Sequence, residues 1–176
     1  MRKLIILSDL WGLESCDWMQ IYIDNLSPYY ELIVYDSRVL GEIDKSAVTE
    51  RSIHQQFLNS GVNIAVNKFL LLEKEKADLL AFSMGGCIAW KAMLSGMKIE
   101  KLTALSATRV RYEKERPESI IELHFGEMDP FIPGDVWFEE MKIQKRLYLG
   151  KNHDFYTEKD IATKLSKNLI ELSKLH

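Results

Sequence analysis

The sequence holds only two cysteines, Cys16 and Cys87, in 176 residues, and neither sits in a metal-ligand spacing. That excludes a disulfide framework and a cysteine-rich metal site. Long apolar runs are equally absent. The opening "MRKLIILSDLW" offers four consecutive apolar residues before Ser8-Asp9, too few for the core of a secretion signal. No stretch is long enough to span a bilayer. The expected location is therefore the cytoplasm, where both thiols stay reduced. There is no long basic tract, and the formal net charge is −3. Neither nucleic acid nor an anionic membrane is expected as a partner. Repeats, low-complexity segments and linkers are also lacking, so residues 1–176 read as one domain, long enough for a full core.

What is present is an alternation of short apolar runs with longer amphipathic ones. "KLIILS" (3–8), "YELIVYD" (30–36), "ADLLAFS" (77–83), "KLTALSA" (101–107), "IIELHFG" (120–126) and "KRLYLG" (145–150) read as strands. Between them, residues 17–26 place Trp18, Ile21, Tyr22 and Leu26 on one helical face. Residues 46–59 form a helix with Gly61 as its expected C-cap. A further helix aligns Val62, Ala65, Val66, Phe69 and Leu70. Residues 85–95 are helical, Asp135 is the expected cap of a helix over 135–141, and Thr157 that of a closing helix with Ile161, Leu165, Leu169 and Leu172 as its buried stripe. Six strands mostly separated by helices imply an α/β fold, a doubly wound and mostly parallel six-stranded sheet with helices on both faces.

In such sheets ligands bind beyond the carboxyl ends of the strands. Those ends read Ser8-Asp9-Leu10-Trp11-Gly12, Asp36-Ser37-Arg38, Ser83-Met84-Gly85, Ser106-Ala107-Thr108, Gly126-Glu127-Met128-Asp129-Pro130 and Gly150-Lys151-Asn152-His153. A serine, an acid and a histidine thus arise at three strand ends of one sheet. A hydroxyl needs a base to become nucleophilic, and the base needs an anion to hold its tautomer. Ser83 is the expected nucleophile, His153 the base and Asp129 the acid, with Glu127 as the nearest competitor for the last role. The turn "AFSMGG" supports this, because a nucleophile between strand and helix needs neighbours without bulk. The N-terminus of the following helix directs N–H groups at an oxyanion. Met84 is the expected first backbone donor and Leu10, from the loop after the first strand, the second.

These residues resemble the α/β-hydrolase superfamily over nearly the whole chain. "AFSMGG" is similar to its G-x-S-x-G elbow, with Ala81 in place of the first glycine. "HFGEMDPFIP" (124–133) and "GKNHDFY" (150–156) resemble the segments that carry the family's acid and histidine, and map them to Asp129 and His153. "YDSRVLG" (35–41) is similar to the loop after its second parallel strand. The resemblance implies a serine hydrolase in a minimal form. With its first expected strand directly before the oxyanion loop, the sequence is expected to form the fold without the antiparallel strands that usually open it. Only about a dozen residues join the strands ending at Ala107 and starting near Ile120, so no helical lid is expected there and the pocket should be open. Where the family has His-Gly at the oxyanion loop, this chain has Ser8-Asp9. Asp9 either points inward, opposing negative charge, or hydrogen-bonds the loop backbone.

The remaining candidates divide between site and scaffold. Trp11, Phe131 and Phe155 flank the expected site as substrate wall or core. His124 reads as a core histidine, His54 and His176 as solvated, and Cys87 as a small apolar packer. Arg109 and Arg111 are either solvated charges or contacts for an anionic substrate or acidic carrier. The resulting expectation is cleavage of a carboxylic ester or thioester of a small or carrier-bound acyl group through an acyl-enzyme, with no metal or cofactor implied. Two rivals are a non-catalytic binding protein on the same core, for which Asp9 is the warrant, and a flavodoxin-like nucleotide binder. The second needs phosphate-cradling loops, and "SDLWG" lacks the glycine density and the lysine for one.

Overall fold

Apolar residues without alternation, as in Leu4–Leu7 and Leu79–Phe82, are what a strand covered on both faces requires. The computed structural model, which describes residues 1–14 and 16–173 with side chains as far as residue 171, shows that arrangement. Its strands are β1 (Arg2–Leu7), β2 (Tyr30–Tyr35), β3 (Ala77–Phe82), β4 (Ile99–Leu105), β5 (Ile120–Gly126) and β6 (Lys145–Tyr148). They form one sheet in the order β2-β1-β3-β4-β5-β6, with every pairing parallel. Pairs such as Leu7 with Tyr35, Phe82 with Leu105 and Gly126 with Tyr148 bring the carboxyl ends to one rim.

Successive residues feed opposite cores. Ile5, Leu7, Leu79 and Ala81 pack under α4 (Val62–Leu72) and α5 (Met84–Leu94). Leu4, Ile6, Leu80 and Phe82 pack under α1 (Asp17–Leu26) and α7 (Lys159–Ser173). Phe82 meets Trp18, Tyr22 and Tyr156 with ring centroids 4.8, 4.9 and 5.3 Å away, an aromatic cluster that fixes β3 beneath α1. Among the described residues no helix is long and apolar enough to cross a membrane.

Four expected helix ends differ. The helix expected from residue 46 starts at Glu50, where the Thr49 side chain caps it by accepting from the Ser52 N–H. Gly61 does not end a helix. Its backbone is right-handed (φ −58°), and α3 (Glu50–Gln56) continues through a single π-helical turn, Phe57–Gly61, into α4. Its lack of a side chain serves packing instead. A Cβ there would lie 2.7 Å from the Ile43 side chain, and one on Gly41 would lie 3.0 Å from the Gly61 carbonyl. Asp135 is the first residue of α6 (Asp135–Met141), and the cap position belongs to Gly134, with no side-chain bond. Thr157 closes a short 3-10 turn, where its hydroxyl donates to the Asp154 carbonyl (2.8 Å), so α7 starts two residues later. Of the closing stripe, Leu165 and Leu169 are buried and Ile161 is half-buried. The Leu172 side chain and His176 lie outside the described residues.

Candidate active site

Ser83 follows β3 directly and adopts φ 47°, ψ −110°, a conformation that costs a non-glycine residue about 1–3 kcal/mol. The surroundings hold it there. Its N–H donates to the Leu105 carbonyl (2.9 Å), and its own carbonyl accepts from Thr108 and Gly86 (both 3.0 Å). The glycine pair leaves no choice of residue at the elbow. A Cβ on Gly85 would lie 2.8 Å from the Leu7 carbonyl oxygen, and one on Gly86 would lie 2.7 Å from the Ala107 Cβ. The turn therefore presents the Ser83 hydroxyl while α5 rests directly on the sheet.

Two later strand ends meet that hydroxyl. His153 Nε2 lies 2.9 Å from Ser83 Oγ, and His153 Nδ1 lies 2.8 Å from Asp129 Oδ2. The Asp129 side chain is 0% exposed and that of His153 is 24% exposed, so the acid is sealed and the ring faces the opening. Asp129 Oδ1 accepts from the Phe131 N–H (2.8 Å), which fixes the carboxylate plane. The Met128 N–H donates to the Lys151 carbonyl (2.8 Å), and Ser106 Oγ donates to the His153 carbonyl (2.5 Å), so the acid and histidine loops are locked together. Glu127 is exposed and accepts from the Gly150 N–H (2.9 Å), a loop contact away from the ring. A hydroxyl, an imidazole and a buried carboxylate in this line can pass the hydroxyl proton to the ring as the oxygen attacks a carbon.

Leu10 lines the cavity beside Ser83, and its N–H makes no hydrogen bond among the described residues. Met84 opens α5, so its N–H has no intrahelical acceptor. Asp9 resolves in favour of the loop backbone. Its Oδ1 accepts from the Trp11 N–H (2.9 Å) and its Oδ2 from the Tyr156 hydroxyl (3.1 Å). Burial pushes the Asp9 carboxyl up to about 6, while those two donors and the nearby His153 pull the other way. Asp36 completes the loop's support by taking the Leu13 N–H on Oδ2 (2.7 Å), and it caps the short helix α2 (Ser37–Leu40) by taking the Arg38 and Val39 N–H groups on Oδ1 (2.7 and 3.1 Å). The Trp11 and Leu13 N–H groups of the loop are thus spent on carboxylates and that of Gly12 on the Asp9 carbonyl, which leaves Leu10 alone and no phosphate cradle.

A cavity of about 340 Å³ opens over Ser83 and His153. Phe131 forms part of its wall, its ring edge-on to His153 at 5.3 Å. Trp11 and Phe155 do not. Trp11 is 44% exposed on a separate depression with Asp36 and Arg38, because Asp9 turns its backbone away. Phe155 is 1% exposed and stacks on Tyr148 at 4.6 Å, since the 3-10 turn after His153 swings it beneath the sheet. No helical insertion lies between β4 and β5. Instead the connection carries a 3-10 turn, Val110–Tyr112, that brings Arg109 and Arg111 to the mouth. α3 adds Glu50, Arg51 and His54 to the lining. His54 is therefore a cavity residue, lowered in pKa by burial first and by Arg109 next. Thr108, whose hydroxyl lies 3.2 Å from Ser83 Oγ, joins them. Burying Ile53 and Phe57 turns Glu50 and His54, one turn apart, to a common side of α3, but only the tertiary structure shows that this side meets the cavity. Cys87 is buried, and that burial pushes its thiol up to about 11. Among the described residues no group of three or more His, Cys, Asp or Glu side chains is placed to hold a metal ion.

No family model matches the sequence, and no curated protein does. Solved structures match the fold. A protein described as a predicted CIB-like hydrolase from Thermoplasma acidophilum superposes with a TM-score of 0.71 at 16% identity, over 99% of this chain and 87% of that one. Mouse alpha/beta hydrolase domain-containing protein 10 gives 0.68 at 12% identity, over 99% and 90%. The meta-cleavage product hydrolase of Pseudomonas fluorescens IP01 gives 0.66 at 12% identity, over 100% and 92%. The architecture is the α/β-hydrolase fold, in a compact six-stranded form.

Proposed function

We propose that the protein is a serine hydrolase that cleaves carboxylic esters or thioesters of small or carrier-bound acyl groups. The observation that carries this reading is the continuous line from Ser83 Oγ through His153 to the sealed Asp129, with spacings of 2.9 and 2.8 Å. In the proposed cycle Ser83 Oγ attacks the acyl carbon as His153 Nε2 takes its proton. Asp129 accepts from Nδ1 and stabilises the imidazolium, and the Leu10 and Met84 N–H groups receive the oxyanion. His153 then protonates the leaving oxygen or sulfur. Water, activated by the same nitrogen, attacks the acyl-enzyme and releases the acid and Ser83. No step calls on a metal or cofactor, and the proposed location is the cytoplasm.

A fluorophosphonate probe tests the reading on the purified protein. Covalent labelling that maps to Ser83 and disappears in a folded Ser83→Ala variant is the expected result. Equal failure of both proteins to label, with circular dichroism showing both folded, overturns it in favour of a non-catalytic binding role.

A further inference from the structure

The cavity carries a charge that the protein itself leaves unanswered. Three guanidinium groups, those of Arg51, Arg109 and Arg111, line it against the single carboxylate of Glu50, on a chain whose formal net charge is −3. Among the described residues no acidic group lies within 4.0 Å of Arg109 or Arg111. The Arg111 guanidinium is held flat rather than left to wave in solvent. It stacks over the Tyr112 ring at 4.4 Å and the Phe131 ring at 5.1 Å, and one terminal nitrogen donates to the Tyr112 hydroxyl (3.0 Å). Its other terminal nitrogen, Nη1, is shut off from solvent and has no acceptor. A buried guanidinium N–H without an acceptor is costly and rare, and it marks a position where an acceptor belongs. Arg109 sits at φ 68°, a left-handed conformation that a bulky residue avoids without a reason, and its guanidinium also lies over the Tyr112 ring at 4.8 Å. Nearby His54 is held towards its neutral form by burial first, then by Arg109 and Arg111 against the opposing pull of Glu50.

We propose that Arg109 and Arg111 form an anion subsite, and that the substrate is an ester or thioester bearing a carboxylate at the end remote from the scissile carbonyl. This rests on the serine-hydrolase reading of Ser83. A planar guanidinium held against two rings in the cavity lining, with N–H capacity left unanswered, matches the two oxygens of a carboxylate. Phe131 links the base to the arginines, since its ring centroid lies 5.3 Å from that of His153 and 5.1 Å from the Arg111 guanidinium. The apolar middle of a short dicarboxylic chain would lie along that ring. The carboxylate can belong to the acyl part or to the leaving group, and paired substrates separate the two.

The experiment compares kcat/KM for mono-p-nitrophenyl adipate with that for its neutral methyl-capped counterpart, and for the butyrate ester of 4-hydroxybenzoate with that of methyl 4-hydroxybenzoate. The wild-type protein should favour the anionic member of one pair by about tenfold to hundredfold, the range of one hydrogen bond to a charged group. The pair that shows it tells which side of the ester faces the arginines. The Arg111→Gln variant should bring that ratio close to one, chiefly through KM. Should the variant not fold, inhibition of the wild type by adipate, set against neutral adipamide, replaces it, with adipate expected to bind at least about tenfold better and added salt to erase the difference. Hydrolysis of the neutral esters with Ser83 labelled, but no preference for either anion, overturns the subsite and leaves the hydrolase reading intact. Absence of both labelling and hydrolysis overturns the reading, and the subsite with it.

Discussion

Asp9 is the residue whose replacement should reveal most about how the oxyanion loop is built. Its carboxyl is raised from the ordinary 3.8 to about 6, chiefly because burial disfavours the charge. A native carboxyl with raised proton affinity is worth most to the folded state while it is protonated. Stability from this group is therefore greatest below pH 4, falls as the pH rises through 6, and is constant and lowest above that. The cost of keeping the charge buried at neutral pH is about 3 kcal/mol, at about 1.4 kcal/mol for each tenfold change in proton affinity. Asp9→Asn removes the charge but keeps an oxygen for the Trp11 N–H and an amide for the Tyr156 hydroxyl. Thermal unfolding followed by circular dichroism should give equal midpoints for variant and wild type near pH 4. Above pH 6.5 the variant should be the more stable by up to about 3 kcal/mol, or about 6–12 °C for a chain of this length. A variant no more stable than wild type at pH 8, or a difference constant from pH 4.5 to 8, refutes the reasoning.

Other substitutions probe separate parts of the site. Asp129→Asn presents an amide where His153 Nδ1 needs an acceptor, and should lower kcat by about 10⁴-fold with KM little changed, measured on a p-nitrophenyl ester. Asp36→Ala frees three N–H groups at once, that of Leu13 on the oxyanion loop and those of Arg38 and Val39 in the helix that Asp36 caps. It should cost about 1–3 kcal/mol in urea denaturation and also lower kcat, because Leu10 sits on the released loop. Phe155→Ala opens a hole in the α1/α7 core and should cost about 3–5 kcal/mol, while Trp11→Ala should stay within about 0.5 kcal/mol of wild type. Similar losses in the two variants would contradict their assignment to core and surface.

The strands and the Ser83, Asp129 and His153 positions were legible because each rests on a local signal read against a known topology: a run of apolar residues, then a turn, then one chemically distinctive side chain. Asp129 over Glu127 rests on the position of Pro130 and on the resemblance of "HFGEMDPFIP" to the segment carrying the family's acid, and it is Asp129 that hydrogen-bonds His153 while Glu127 accepts from the Gly150 N–H. What was not legible depends on contacts distant in sequence. Gly61 looks like a helix cap because glycine usually is one, yet its role is set by Gly41 and Ile43 about twenty residues away. Phe155 and Trp11 flank the site in sequence, and one-residue changes in backbone direction decide that neither reaches the cavity. His54 and Arg51 ride on a helix from the long β2–β3 excursion, and nothing in their spacing says which strand end that helix approaches.

The order of the strands has a consequence for how the site can fail. The histidine is carried just beyond β6, a strand of four residues at the edge of the sheet, with two of the four exposed, whereas Ser83 follows a strand buried in the middle. Local opening is easiest where few apolar contacts hold an element. Fraying of β6 would separate base from nucleophile while the rest of the sheet stays paired. Activity should therefore vanish at a lower urea concentration than the helical circular dichroism signal, and Cys87, under the intact elbow, should remain protected from thiol reagents throughout that interval.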